Sequence, residues 1–136
     1  MTMAKNGRSL AGARVLVLGA SGGLGQALAA EAHHRGAELS LVSRDPDRLA
    51  AVPTPGQRQA VDLRDPSGIE AAVAFAAATG PIDVVVNAVG VVAFGPVESL
   101  SVDAMEELFL TNSFLPVLLG RAALPHMAEQ GVIVSL

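Results

Sequence analysis

The chain has 136 residues, 51% of them hydrophobic and 16% charged, with a net charge of −4. That length holds one domain with a real core and hardly two, and the acidic balance speaks against a nucleic-acid partner, which needs a basic face. The absence of cysteine removes disulfides and thiolate metal sites, so a cytoplasmic setting is expected and no metal; His33, His34 and His126 show no metal spacing, and the first two read as solvated residues at a helix end.

Met1 to Leu10 reads as a disordered lead-in, and residues 11–136 as the domain. Lys5 and Arg8 ahead of Leu10 have the flavour of a signal peptide, but Arg14 interrupts the apolar run. Strands are predicted at Arg14–Leu18, Glu38–Val42, Gln59–Asp62, Ile82–Asn87 and Val132–Leu136. Helices are predicted at Gly23–Arg35, Pro46–Ala51, Pro66–Thr79 and Ser101–Gln130, the last with a break. In the third helix Ile69, Ala72, Val73 and Ala76 share a face, with Pro66-Ser67 starting it and Gly80 stopping it. Strands alternating with helices this closely require parallel pairing and right-handed crossovers. The expectation is an α/β, doubly wound, Rossmann-like sheet in the order 3-2-1-4-5, with its crevice at the carboxyl ends of strands one and four. No stretch reads as long and apolar enough to span a bilayer; the best, Ile82 to Phe94, is short and contains Asp83 and Asn87.

The most informative stretch is Gly19-Ala20-Ser21-Gly22-Gly23-Leu24-Gly25, between the first strand and the first helix. A glycine turn there places bare backbone N–H groups at the positive end of a helix, where diphosphate binds well. Gly19 permits the tight turn, Gly23 lets the backbone approach a ligand, and Gly25 lets the helix pack closely. The spacing Gly19-x3-Gly23-x-Gly25 departs from G-x-G-x-x-G. It resembles the short-chain dehydrogenase/reductase family, with Leu18 where that family usually has Thr.

At the end of the second strand, where a dinucleotide fold carries an acid to grip a free ribose 2′-OH, the chain reads Ser43-Arg44. A guanidinium fork plus a hydroxyl suits a 2′-phosphate, which predicts NADP(H) over NAD(H). The neighbouring Asp45 leaves open a carboxylate on the ribose, and a merely solvated Arg44 is the bland alternative. Asp62-Leu63 follows the third strand; the resemblance implies that Asp62 accepts from the adenine amino group and that the Leu63 backbone supports the ring. Asn87-Ala88-Val89-Gly90 matches in outline the family's Asn-Asn-Ala-Gly segment beside the cofactor ribose, so Asn87, Ala88 and Gly90 join the binding set. Asn87, ending an apolar strand, is expected to be buried and to tie strand ends together.

Asn112 lies on the stripe of Leu108, Leu115, Leu119 and Ala122, so it is expected to face inward. Pro116 offers no N–H to its carbonyl, which is left free to hold an ordered water. The resemblance implies an asparagine that interrupts this helix and supports a proton relay to a catalytic lysine.

That family's chemistry also needs a serine past strand five and a Tyr-x-x-x-Lys. Here there is no tyrosine, the only lysine is Lys5, and Ser135 falls short of the serine's position. The expectation is therefore that the chain supplies a cofactor-binding part, truncated after strand five, and is inert alone. Gly131 to Leu136 is a strand signal with no turn or polar tail behind it, in keeping with the first part of a longer protein. Three readings stay open: part of an NADP(H)-dependent reductase or dehydrogenase acting on a small carbonyl or alcohol, a non-catalytic dinucleotide-binding regulator, or an inert truncated product. The resemblance also implies a homo-oligomer packed through the fourth helix.

Overall fold

The computed structural model describes residues 9–136. Five parallel strands form one sheet in the order β3-β2-β1-β4-β5. They are β1 Arg14–Leu18, β2 Glu38–Ser43, β3 Gln57–Ala60, β4 Ile82–Asn87 and β5 Met127–Ser135. Alternation along β1 sends Val15 and Val17 to one face and Leu16 and Leu18 to the other. The first face packs under α1 (Gly23–His34) and α2 (Pro46–Ala50), with Leu39, Leu41, Leu49 and the small Ala29 and Ala32. The second packs under α3 (Pro66–Ala77) and α5 (Leu115–Ala123), with Ile69, Val73, Val85, Leu115 and Leu119. The predicted α3 stripe of Ile69, Ala72, Val73 and Ala76 is buried throughout.

Local chemistry sets the ends. After α1, Gly36 at φ +85° lets its own N–H reach the His33 carbonyl and the Ala37 N–H reach that of Ala32, a Schellman closure. His33 and His34 are exposed in that last turn. Asp65 caps α3 by accepting from the Ser67 N–H, with Pro66 in the first turn.

Several boundaries depart from expectation. Of the lead-in, residues 1–8 lie outside the described residues, and Leu10 packs against the α1–α2 core rather than trailing free. The third strand begins at Gln57 and leaves the ladder after Ala60, so Asp62 belongs to the loop beyond it. The fourth helix is α4 (Val102–Phe109), a π-helical turn at Leu110–Phe114, then α5. It ends before Gln130, because Pro125 cannot continue it and Met127 already pairs with Ile82. From Ile82 to Val84 takes two steps on β4 while Met127 to Val132 takes five on β5, so β5 bulges. A Cβ on Gly131 would stand 3.0 Å from the Ala128 carbonyl oxygen inside that bulge. Finally, the helical run Val102–His126 is long and apolar enough to cross a bilayer by length and composition, which corrects the expectation that no stretch is. Its polar residues are concentrated at the start, and its inner positions Leu115, Leu119 and Ala123 pack in the core.

Candidate functional site

The carboxyl ends of β1, β2 and β4 open onto a cleft of about 290 Å³. This is where a doubly wound sheet reverses its winding, since β1 pairs with β2 on one side and β4 on the other. Gly19 turns the chain out of β1 at φ +77°, held by its N–H on the Val42 carbonyl. A Cβ there would stand 2.8 Å from the Ala88 oxygen, so the β1 and β4 exits meet backbone to backbone. Gly22 is the residue before α1 and is not capped by a side chain, which leaves the first N–H groups of the helix without intrahelical partners. A Cβ on Gly25 would overlap the Gly19 carbonyl, so the helix packs on the turn itself. Gly23 is different: a Cβ there meets nothing within 4 Å. No protein neighbour demands glycine at that position.

Of the predicted residues, Gly19, Ser21 and Gly22 line the cleft, as do Ser43 and Arg44, Asp62 and Leu63, and Ala88 and Gly90. Gly23, Leu24, Gly25 and Asn87 do not form its wall. Leu24 is exposed, pointing its side chain away from the core. Asn87 is 1% exposed and acts from behind. Its Nδ2 donates to Ser135 Oγ on β5 at 2.9 Å, and its Oδ1 accepts the Val89 N–H at 3.1 Å. The amide thus ties β4 to β5 and shapes the Ala88–Gly90 exit, as its sequence position suggested.

Ser43 is tied into the site by a second contact. Its buried hydroxyl lies 2.6 Å from that of Ser21, joining the glycine turn to the end of β2. One hydroxyl donates to the other, so one O–H of the pair stays available to the cleft. Arg44 is exposed on the rim and has no carboxylate within ion-pair distance among the described residues. Asp45, the alternative ribose ligand, lines the cleft and also caps α2: its Oδ1 accepts the N–H groups of Asp47 and Arg48, each at 3.0 Å.

Asp62 holds Arg64 in a fork, with Nη2 to Oδ2 at 2.7 Å and Nε at 3.1 Å from both oxygens, and it also accepts the Arg64 N–H at 3.0 Å. The Arg64 side-chain and backbone hydrogen bonds outweigh desolvation and lower the Asp62 carboxyl to about 2. Asp62 beside it pushes the Arg64 guanidinium up, with Glu107 adding a smaller effect from α4.

Asn112 is placed differently from its prediction. It is exposed, and the inner face of the helix carries the buried Thr111 instead. The π-helical turn causes this: its Leu115 N–H reaches back to the Leu110 carbonyl, and the wider turn brings Thr111 into line with Leu115 and Leu119. Pro116, with no N–H for the Asn112 carbonyl, accounts for a turn of that kind here. The Asn112 side chain grips the β4 exit loop, with Oδ1 accepting the Val91 N–H at 3.0 Å and Nδ2 donating to the Val91 carbonyl at 2.7 Å. Sequence reasoning missed Arg48, Arg64, Glu107 and Thr111, which also line the cleft. For Arg48 a signal existed in the arginine pair Ser43-Arg44-Asp45-Pro46-Asp47-Arg48; for Glu107 and Thr111 only the register of the broken helix could have told. Among the described residues no group of three histidines or carboxylates could hold a metal.

Residues 13–136 match the family model described as short chain dehydrogenase. The chain is 35% identical over 147 residues to a dehydrogenase/reductase SDR family protein 7-like from Anopheles gambiae, covering 97% of this chain and 46% of that one. It is 31% identical to a gluconate 5-dehydrogenase from Gluconobacter oxydans, covering 90% of this chain and 51% of that one. The chain therefore spans about half the length of these curated relatives. A solved short chain dehydrogenase from Burkholderia cenocepacia in complex with NADP superposes with a TM-score of 0.83 at 28% identity, over 94% of this chain and 56% of that one.

Proposed function

The chain belongs to the short-chain dehydrogenase/reductase family, and from that premise we propose that it is the cofactor-binding part of an NADP(H)-dependent oxidoreductase that passes hydride between nicotinamide and a small carbonyl or alcohol substrate. The observation that carries the NADP(H) reading is Arg44, an unpaired guanidinium on the cleft rim, beside an Asp45 whose Oδ1 is engaged in capping α2. A guanidinium favours a 2′-phosphate, and the adjacent Asp45 directs its Oδ1 to the start of α2.

The residues fit a dinucleotide. The N–H groups after Gly22 receive the diphosphate, and the open space over Gly23 gives it room. Arg44 and the free O–H of the Ser21–Ser43 pair take the 2′-phosphate. Asp62 and the Leu63 backbone flank the base, and Ala88 and Gly90, shaped by Asn87, border the ribose. Asn112 fixes the next stretch of loop through Val91 and serves as proton-relay support. When bound, the nicotinamide supplies the hydride. Productive transfer also needs a proton donor, and the 136 residues contain no tyrosine to act as one. On this reading the chain alone binds cofactor without turning it over. The exposed Phe109, Phe114 and Val117 on the outer side of the α4–α5 run favour a homo-oligomer, and we place the protein in the cytoplasm with no nucleic-acid or membrane partner.

Titration calorimetry with NADP⁺ and NAD⁺ tests this. NADP⁺ should bind the tighter, and Arg44→Ala should weaken it by about 10- to 100-fold, the range for a hydrogen bond to a charged group, while changing NAD⁺ little. Equal affinities in the unaltered chain would overturn the cofactor preference, and binding of neither would overturn the cofactor reading itself. NADPH-dependent turnover of a carbonyl by these 136 residues would refute the claim of inactivity.

A further inference from the structure

We infer that Arg64 is a positioning residue that makes the cleft selective for a purine bearing an amino group. The inference rests on the dinucleotide reading above and concerns how its base is chosen. Asp62 is fixed from two directions. Behind it, the first turn of α3 presses on its backbone, where a Cβ on Gly68 would overlap the Asp62 carbonyl, and the next residue, Leu63, is buried. In front, the Arg64 fork and the Arg64 N–H together hold both carboxylate oxygens.

A free aspartate on a loop turns about two side-chain bonds and presents no fixed acceptor. This one is oriented by a planar guanidinium only two residues away. The Nε–H is shared between the two oxygens, so Arg64 brings three donors to a carboxylate with about four acceptor positions, and Asp62 lines the cleft. The carboxylate is also kept ionised, since Arg64 holds its pKa near 2. An ionised carboxylate only accepts hydrogen bonds. It therefore welcomes an exocyclic –NH₂ and repels the carbonyl oxygen of a 6-oxo purine, which is itself an acceptor. Glu107, lining the cleft from α4, adds a second negative field at Arg64 and helps to keep the guanidinium in the fork.

The test compares NADP⁺ with its hypoxanthine counterpart, which carries a carbonyl in place of the adenine amino group and a proton on the neighbouring ring nitrogen. The unaltered chain should bind NADP⁺ at least about tenfold more tightly. Arg64→Ala should erase most of that preference, and Arg64→Lys, which keeps the charge without the fork, should fall between. The preference should persist from pH 7 to pH 4 in the unaltered chain. In Arg64→Ala what remains should fade over the same interval, as the released carboxylate returns to the ordinary aspartate pKa of about 3.9. A purely electrostatic role would weaken both ligands equally in Arg64→Ala, and that result overturns the inference. So does an unaltered chain that binds both bases alike, although the dinucleotide reading then stands. Binding of neither ligand fells that reading and this inference with it.

Discussion

The two banks of the cleft are built from different materials. Where β1, β4 and α1 meet, backbone packs on backbone: Gly19 lies against Ala88, and Gly25 against the Gly19 carbonyl. Where β2 and the β3–α3 loop face α4, charged side chains make the surface, among them Arg44, Asp62, Arg64 and Glu107. At Gly19 and Gly25 the first bank has no room for an added atom, so sequence changes there strike folding and binding together. The second is solvated, so changes there leave the fold standing and alter what the cleft selects.

Four substitutions or titrations break or sharpen that contrast. Gly25→Ala drives a methyl into the turn and should destabilise by about 3 kcal/mol, read as a lower urea midpoint, with nucleotide binding lost as well; an unchanged midpoint would show that the turn yields. Asn87→Ala removes the tie between β4 and β5 and leaves the Val89 N–H without its acceptor, a loss of about 1–3 kcal/mol measurable in the same denaturation series. Gly23→Ala separates the two properties within the backbone bank. Its methyl meets no protein atom, so stability should stay within about 1 kcal/mol of the parent, while affinity for NADP⁺ falls about tenfold; parallel loss of both would place Gly23 with Gly25.

The smallest effect belongs to the charged bank. The folded-state pKa of Asp62 lies below its ordinary value, at about 2. The stability it contributes is therefore present above pH ~3.9 and lost as pH falls through about 2. Because the pair is exposed, with side chains 61% and 46% accessible, solvent screens most of it. Urea midpoints of the unaltered chain and Arg64→Ala should differ slightly at pH 5 and converge toward pH 2. A gap that widens on acidification would mean that the pair's sign is misjudged.

Much of this architecture was legible in residues that can do only one thing. The runs Val15–Leu18 and Val84–Val86 are apolar without alternation, as strands covered on both faces must be. Gly19 and Gly25 announced the turn, and Asn87 announced a buried tie, because a lone amide ending an apolar strand must find partners. The misses have equally local causes. β3 is an edge strand of Gln57, Arg58, Gln59 and Ala60, so polar at its start that the sequence placed it two residues late, at Gln59–Asp62. β5 starts early because a bulge lets Met127 pair before the apolar run begins. The pairing of Ser43 with Ser21 joins residues on separate elements, a contact that no periodicity encodes. Asn112 was set on the inner face by ordinary helical spacing, and the π-helical turn shifted that face to Thr111. Arg64 escaped notice because its partner lies two residues away in a loop, where composition says only that charges are solvated.

The placing of β1 at the middle of the sheet also has a consequence in time. Its neighbour β2 follows it closely in the chain, but Val15 must wait for Val84 and Leu18 for Asn87 on its other side. During synthesis, which proceeds from the amino terminus, β1 with α1 and β2 is available long before β4 emerges. Through that interval the β1 edge and the underside of Leu16 and Leu18 lack their later cover from β4 and α3. Closing that long loop is the slow event expected of parallel pairing, and until it happens the nascent chain is open to misassociation along its most apolar strand.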